Sequence, residues 1–343
     1  MKLTIPIILI TALFNCFNNQ TEVHVNKNHK MIIKGELYGF DDGDTILLSL
    51  GDGNVSRMRD TVIVKSNEFH VELEIPYTPI RVILSTTDIF GRKMLWVGEE
   101  DILIRGEKKS FKKAEVIGSI YQTEDEKFYL DFKNSKNKKQ KEDIIFLYPK
   151  APSALKEIYK LKDSISNSKL KRFYKILEKE LKSHDFGIKL KNYLLLDNPK
   201  EIEIGDEIYD FTAFDKQGNE FILSENLDKK YILLEYRSAY CFPSLKNIPE
   251  INNLIKNHGD SIQVVTFSID TRPSSWKDIQ EDDSRSIKIW DGKGEIGKPS
   301  IKYGITGSPF LFIISPEGIV IDKWFGYSKG LIEKKWREVQ MKY

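Results

Sequence analysis

The sequence predicts a multi-domain α+β protein with an N-terminal β-sandwich, a helical connector and a C-terminal α/β domain. Three observations support this prediction. Short alternating apolar runs broken by turn residues fill residues 30–118, a pattern typical of a sandwich. Residues 119–200 change to a helical period, and strands alternate with helices over residues 201–343. A length of 343 residues agrees with two or three domains.

The first residues predict an export signal. An apolar run at residues 5–14 is too short for a comfortable transmembrane helix. Cys16 follows it directly, so residues 1–16 resemble the signal peptide and cysteine box of a bacterial lipoprotein, in which the cysteine is acylated. Phe14 and Asn15 depart from the small residues usual in that box. A plain secretory signal, from which Cys16 is cleaved away, and an uncleaved anchor stay open.

The composition excludes several classes of protein. The chain has 53 Lys and Arg against 51 Asp and Glu, a net charge of +2, so no global field attracts nucleic acid or an anionic membrane. The lysine-rich stretch 133–141 lacks interleaved aromatic residues and is predicted to be a solvated loop. The five histidines show no metal-ligand spacing, so neither a metal nor a cofactor is expected.

In the helical connector, five apolar residues recur at the spacing of one helix face. They are Leu170, Phe173, Tyr174, Leu177 and Leu181. This spacing predicts one helix with a buried stripe. The sandwich segment before the connector carries no cluster of acids, histidines or hydroxyls that suggests a reaction. A functional site is therefore expected in the C-terminal domain.

The C-terminal domain predicts a site at the start of a helix. The apolar run 231–236 predicts a buried strand, and a helix is predicted from about 243 to 257. Cys241 lies between them, at the helix N-terminus, where unpaired N–H groups and the helix dipole favour a thiolate. The last two predicted strands, 310–314 and 319–324, are joined by a turn and form an antiparallel hairpin.

The chain has two cysteines, so a mature form that has lost or acylated Cys16 keeps a single free thiol. Around that thiol the domain resembles thioredoxin-fold proteins, in particular the exported, membrane-tethered thiol-disulfide oxidoreductases of Bacteroidetes, and also alkyl hydroperoxide reductase and thiol-specific antioxidant domains. The resemblance covers about residues 202–343. Its landmarks are the segments 205–211, 215–218, 234–236, 239–244, 303–309 and 314–318. Residues 30–200 more loosely resemble the sandwich domain of unknown function and the connector that precede such domains.

The resemblance implies roles for several residues. Cys241 matches the attacking cysteine, and Pro309 matches a cis-proline that faces it. Ser308 then offers its backbone to an extended substrate, and Glu235 matches a buried acid that moves protons for the resolving thiol. The substrate is also expected to contact three residues beside the thiol, namely Tyr240, Phe242 and Pro243.

One departure from the family changes the implied mechanism. Where the family carries Cys-x-x-Cys, this chain has Cys241-Phe-Pro-Ser244, and a serine cannot release a mixed disulfide. The sequence therefore predicts monothiol redox activity, in which Cys241 forms a mixed disulfide with a protein or low-molecular thiol. Ser244 is expected to donate a hydrogen bond to the thiolate.

Two alternatives stay open for the function. A thioredoxin scaffold without its second cysteine can serve as a binding module, with Cys241 as a leftover thiol and Glu235 as a satisfied core acid. Oxidation of Cys241 to a sulfenic acid would instead make a one-cysteine peroxidase. The Thr-x-x-Cys pattern of dedicated peroxidases is absent, since Ser238 stands three residues before the cysteine. The expected location is the periplasmic face of the cell envelope, through a lipid anchor on Cys16 and without a nucleic-acid partner.

Overall fold

The computed structural model describes residues 29–51, 59–87, 91–227, 230–279 and 285–342. The leader predicted for residues 1–16, with its Cys16, lies outside these ranges. The chain forms two compact units that divide between Thr123 and Glu124. The three predicted domain boundaries stay predictions.

The first unit is built from eight strands among its described residues. They are β1 (His29–Tyr38), β2 (Thr45–Leu50), β3 (Arg59–Ile63), β4 (Glu68–Ile75), β5 (Ile80–Thr86), β6 (Arg92–Val97), β7 (Ile102–Glu107) and β8 (Glu115–Ile117). One sheet has the order β4-β1-β7-β8 and the other has the order β3-β2-β5-β6. Alternate side chains of both sheets, such as Val71 and Leu73 from β4 and Leu48 from β2, meet in one apolar core. The predicted β-sandwich is therefore confirmed.

Six helices follow the sandwich in the described chain. They are α1 (Ile120–Asn134), α2 (Lys138–Leu147), α3 (Pro152–Lys160), α4 (Asn167–Ile176), α5 (Lys179–Ser183) and α6 (Asp185–Leu194). The predicted stripe is buried at Leu170, Phe173, Leu177 and Leu181. The prediction of a single helix over this stripe is wrong. The chain leaves the helical conformation at Leu177, and α4 and α5 each pack separately against α6. This tertiary packing overrides the helical period of the sequence.

The lysine-rich stretch 133–141 is exposed, as predicted, but it is not one loop. Helix α1 continues to Asn134, and α2 begins at Lys138. The side chain of Asn137 accepts a hydrogen bond from the N–H of Gln140 at 3.0 Å and so caps α2. This local cap starts a helix inside a stretch whose composition alone indicated a loop.

The rest of the second unit is a sheet with helices. Its elements are β9 (Thr212–Phe214), β10 (Glu220–Ile222), β11 (Tyr231–Arg237), α7 (Phe242–His258), β12 (Ile262–Ser268), α8 (Pro273–Lys277), β13 (Ile287–Trp290), α9 (Lys298–Lys302), β14 (Phe310–Ile314), β15 (Val320–Phe325) and α10 (Leu331–Lys342). The sheet order is β10-β9-β13-β12-β11-β14-β15. Strands β11, β12 and β13 are parallel, and β14 and β15 form the predicted antiparallel hairpin.

Helices α2 to α6, together with α1 from Glu124 onward, belong to the same compact unit as the sheet. Helix α6 packs against α9. The Nζ atom of Lys189 lies 2.8 Å from a carboxylate oxygen of Glu295, and that of Lys162 lies 2.6 Å from Glu201. Ion pairs thus attach the helical segment to segments that flank the strands of the sheet.

Strand β11 is buried on both faces and leads to the candidate site. Leu234 and Tyr236 pack in a cluster on one face, whereas Leu233 packs on the other face with α7 and α10. Because side chains alternate along a strand, Glu235 and Arg237 also face α7. The strand therefore carries two charged residues into the layer beneath the helix that follows it.

Candidate functional site

The thiol of Cys241 lies at the N-terminus of α7. A three-residue loop, Ser238 to Tyr240, connects β11 to the cysteine, which is the N-cap residue of the helix and has extended backbone. Its thiol is free and half-buried. The first N–H groups of a helix have no intrahelical partner, so negative charge on this sulfur would lie near their positive ends.

The structure brings Cys241 together with Ser308 and Pro309. The Cys241 thiol donates a hydrogen bond to the carbonyl oxygen of Ser308 at an Sγ–O distance of 3.1 Å. The Ser308–Pro309 peptide bond is cis, and the carbonyl oxygen of Pro309 accepts the N–H of Gly326 at 2.8 Å. Ser308 is half-buried, so part of this loop beside the thiol is open to solvent.

Two exposed aromatic rings flank the cysteine. The exposed fractions of Tyr240 and Phe242 are 63% and 67%, and the neighbouring Pro243 is also exposed. The Tyr240 hydroxyl donates a hydrogen bond to Asp278 at 2.9 Å, and this bond to a carboxylate raises the pKa of Tyr240. The Nζ atom of Lys246 lies 4.6 Å from the centre of the Phe242 ring. Exposed apolar side chains thus flank the thiol along the chain, and Lys246 lies beside one of them.

A third exposed ring was missed from the sequence. Phe325, at the end of β15, is 61% exposed, and its ring would touch a Cβ atom placed on Gly307. Gly307 directly precedes Ser308, so this ring borders the loop that contacts the thiol. The sequence around Phe325 does not show that its ring lies near Ser308, because the two residues come together only through the pairing of β14 with β15.

Glu235 is fully buried, and both of its carboxylate oxygens have donors. Arg237 donates to Oε2 through Nε at 2.8 Å and Nη2 at 2.5 Å, and the Asn247 side-chain amide donates to Oε1 at 2.9 Å. The guanidinium and the carboxylate thus form a buried ion pair between β11 and α7. The role of Glu235 in proton transfer stays a prediction. The Arg237 and Asn247 partners were missed, although the i, i+2 spacing of Glu235 and Arg237 places both on one strand face.

Ser244 does not contact the cysteine by a hydrogen bond in this structure. Its side chain is fully buried, and its hydroxyl has no hydrogen-bond partner among the described residues. The structure holds the protonated thiol, which donates to the Ser308 carbonyl, so the bond that Ser244 is expected to donate to the thiolate stays a prediction. The burial of Ser244 also excludes it from direct contact with a substrate.

Sequence reasoning also missed Asp270, which follows β12. Its carboxylate accepts hydrogen bonds from the loop between β11 and Cys241, including the Ala239 N–H at 2.9 Å. Strands β11 and β12 are adjacent and parallel, so the residues after them meet at one edge of the sheet. This arrangement could have pointed to Asp270 from the sequence, but only if the order of the strands in the sheet had been known.

The described residues contain no group of three or more His, Cys, Asp or Glu side chains arranged to hold a metal ion. Over the same residues, no helix is both long and apolar enough to cross a membrane.

Comparison with known proteins gives a domain match and several structural matches. Residues 204–323 match the AhpC/TSA family. None of the curated proteins compared with the chain matches it. Solved structures match at low overall similarity. One is the thioredoxin domain of a thiol-disulfide oxidoreductase from Bacteroides vulgatus, with 24% identity over 40% of this chain and 99% of that chain and a TM-score of 0.36.

Two further solved structures come from the same genus. A thiol-disulfide oxidoreductase from Bacteroides fragilis is 19% identical over 39% of this chain and 99% of that chain, with a TM-score of 0.35. A thiol:disulfide interchange protein from Bacteroides sp. is 26% identical over 36% of this chain and 81% of that chain, with a TM-score of 0.33. The family match and the central sheet of β11 to β15 together identify the C-terminal part of this chain as an AhpC/TSA domain with a thioredoxin-like fold.

Proposed function

We propose that this protein carries out monothiol disulfide exchange through Cys241. One observation carries the proposal: the free thiol lies at the N-terminus of α7 and in contact with the Ser308 carbonyl, at 3.1 Å, beside exposed rings. The position supports a nucleophile, because the helix start stabilises the thiolate that attacks. The names of the matching Bacteroides proteins point to the same chemistry.

The proposed reaction has two exchange steps. Cys241 loses its proton to water, and the thiolate attacks one sulfur of a partner disulfide R–S–S–R′. The bond from Cys241 to the R sulfur forms, the original disulfide bond breaks, and R′–S⁻ leaves and takes a proton from water. An external low-molecular thiolate R″–S⁻ then attacks the R sulfur, which forms R–S–S–R″ and releases the Cys241 thiolate. No internal thiol takes part, because Ser244 replaces the second cysteine.

The partner is proposed to dock as an extended segment along the loop of Ser308 and Pro309, in which Ser308 is half-buried and Pro309 is buried beneath the docking surface. Its residues next to the reacting sulfur would contact Tyr240, Phe242 and Pro243, whose exposure supports this role. Aromatic rings bind apolar surface without losing many rotamers, so they suit a site that accepts several sequences.

A direct test is the trapping of the mixed disulfide. The full chain with Cys16→Ala keeps Cys241 as its one thiol. A peptide whose cysteine is coupled to a coloured aryl thiol reports the attack by release of the colour, and intact-mass measurement after acid quenching reports the adduct. We expect one peptide to attach to Cys241 and glutathione to remove it. The Cys16→Ala, Cys241→Ser chain should release no colour and form no adduct. A chain that releases colour no faster than free cysteine and forms no adduct contradicts the proposal.

A binding module is the second candidate, and the exposed rings favour it because they need no thiol. In that case the Cys241→Ala chain would bind the same peptides, with serine in place of their cysteine, as tightly as the parent chain and without any adduct. Treatment with hydrogen peroxide followed by a sulfenic-acid reagent tests the peroxidase alternative, which requires an adduct on Cys241.

We also propose that the protein is a lipoprotein of the cell envelope, facing the periplasm, with an acylated Cys16 and three domains at residues 30–118, 119–200 and 201–343. Labelling with a radioactive fatty acid in the producing cell tests the anchor. We expect label in the parent chain and none in the Cys16→Ala chain, and equal label in both would contradict the assignment.

A further inference from the structure

The carboxylate of Asp270 accepts three hydrogen bonds at the edge of the sheet beside the candidate site. The Ser238 hydroxyl donates to Oδ1 at 2.9 Å. The Ala239 N–H donates to Oδ2 at 2.9 Å, and the Ser268 hydroxyl donates to the same oxygen at 3.0 Å. Bonds to an ionised acceptor are stronger than neutral ones, so this carboxylate is a strong anchor for the groups that it holds.

Two of these donors belong to the loop that ends at Cys241. The carbonyl oxygen of Ser238 in turn accepts the N–H of Cys241 at 3.3 Å. The carboxylate therefore holds the first residues of a closed turn whose last residue is the cysteine. A displacement of Ser238 or Ala239 would move the sulfur away from the carbonyl oxygen of Ser308.

Asp270 is itself held in place through its backbone. Its carbonyl oxygen accepts the indole N–H of Trp290, and its own N–H bonds to the Ser268 hydroxyl at 3.3 Å. The Trp290 ring stacks on Trp276, with 6.0 Å between ring centres. Trp276 packs in the same small apolar cluster as Ala239. Asp270 and the loop before Cys241 thus both contact the cluster that contains Trp276 and Trp290.

We infer that Asp270 is a positioning residue for the thiol chemistry of Cys241. The inference rests on the proposed function and deepens it. Asp270 fixes the turn that ends at Cys241, so that the sulfur stays at the start of α7 beside the Ser308 loop and meets a docked disulfide in line. It does not touch the reacting atoms itself.

The test compares two reagents at a pH at which the thiol is fully ionised. Iodoacetamide is small and needs only access to the sulfur, whereas the peptide disulfide also needs alignment. For Asp270→Asn in the full chain with Cys16→Ala, we expect the iodoacetamide rate to rise about threefold because access improves. The rate with the peptide disulfide is expected to fall about tenfold because alignment is lost. Ser238→Ala removes one of the three bonds and is expected to give the same pattern at smaller size.

Asp215→Asn is the matched control. Asp215 holds the turn between β9 and β10 by accepting the N–H groups of Gln217 and Asn219, at 2.9 and 2.8 Å. We expect this variant to leave both rates with Cys241 unchanged at a temperature where all variants are folded by circular dichroism. An unchanged iodoacetamide rate in Asp270→Asn, or equal effects of Asp215→Asn, would overturn the inference. Failure of the parent chain to react with the peptide disulfide counts against the proposed function alone, since the iodoacetamide comparison still decides the role of Asp270.

Discussion

The sulfur of Cys241 lies 3.1 Å from the carbonyl oxygen of Ser308 and donates its hydrogen to it, although the two residues are 67 positions apart in the chain. A carbonyl oxygen accepts a hydrogen from the thiol but repels the thiolate. The contact between Cys241 and Ser308 therefore belongs to the protonated form of the cysteine. Ionisation would break it and leave the sulfur to the N–H groups at the start of α7.

Ser244→Cys should restore an internal resolving thiol. Ser244 lies three residues after Cys241, in the first turn of α7, and its buried hydroxyl has no hydrogen bond among described residues that the change would break. We expect mild oxidation to form a disulfide between positions 241 and 244, and glutathione to be no longer needed for release of the mixed disulfide. In the chain with Cys16→Ala, the readout is the loss of both remaining free thiols after oxidation, measured by alkylation and mass spectrometry. Ser166→Cys, on the exposed start of α4, is the control that should keep both thiols; no difference between the two variants would count against this expectation.

Arg237→Met should be strongly destabilising. The change leaves Glu235 buried without the guanidinium that contacts its Oε2 atom, and removal of one partner of a buried ion pair costs about 3–5 kcal/mol. The double change Glu235→Leu, Arg237→Met removes both charges and should recover most of that loss. Urea unfolding of the parent chain, the single variant and the double variant gives their free energies of unfolding. Equal loss in the single and double variants would show that shape, rather than the unpaired charge, decides the cost.

Asp291→Asn should stabilise the protein at neutral pH. Burial raises the pKa of Asp291, and its Oδ2 atom has no hydrogen-bond partner among the described residues, whereas Oδ1 accepts the Lys293 N–H at 2.8 Å. Because the pKa is higher in the folded state than in the unfolded state, the stability of the parent chain is highest with this carboxyl protonated, and it falls as pH rises through the folded-state pKa.

The advantage of Asp291→Asn should therefore disappear below the ordinary carboxyl pKa of 3.8 and become constant above the raised one. Melting temperatures of the two chains across this range measure it. An advantage of equal size at every pH would mean that the charge of Asp291 is not its cause.

Lys162→Met should weaken the attachment of the helices to the sheet. Lys162 is 5% exposed, and its Nζ atom lies 2.6 Å from Glu201 and 2.9 Å from Asp163. Loss of this cation removes the ion-pair partner that the carboxylates of Glu201 and Asp163 share, with an expected cost of about 3 kcal/mol. Lys160→Met removes a surface pair with Glu157 and should cost less than about 1 kcal/mol. Chemical unfolding compares them, and similar values for both variants would contradict a buried attachment.

The sequence predicts the parts of this site that depend on local pattern. A buried strand followed at once by a helix places Cys241 at a helix start, and this needs no knowledge of the rest of the chain. Asp270 could not be assigned in the same way, since its bond to Ala239 spans 31 positions and exists only because β11 and β12 are neighbours. The break between α4 and α5 was missed for a similar reason, because packing against α6 overrides the helical period at Leu177.

The serine at position 244 has a consequence for time rather than for affinity. In a dithiol site the second cysteine of the same protein cleaves each mixed disulfide, at a rate that the protein itself determines. Here the neighbouring hydroxyl is buried and cannot do so, and under the proposed mechanism the lifetime of each adduct follows the concentration of thiols in the surroundings. In an oxidising compartment with few such thiols, the protein would hold a captured partner for long periods, and a pulse of reductant would release the whole population together.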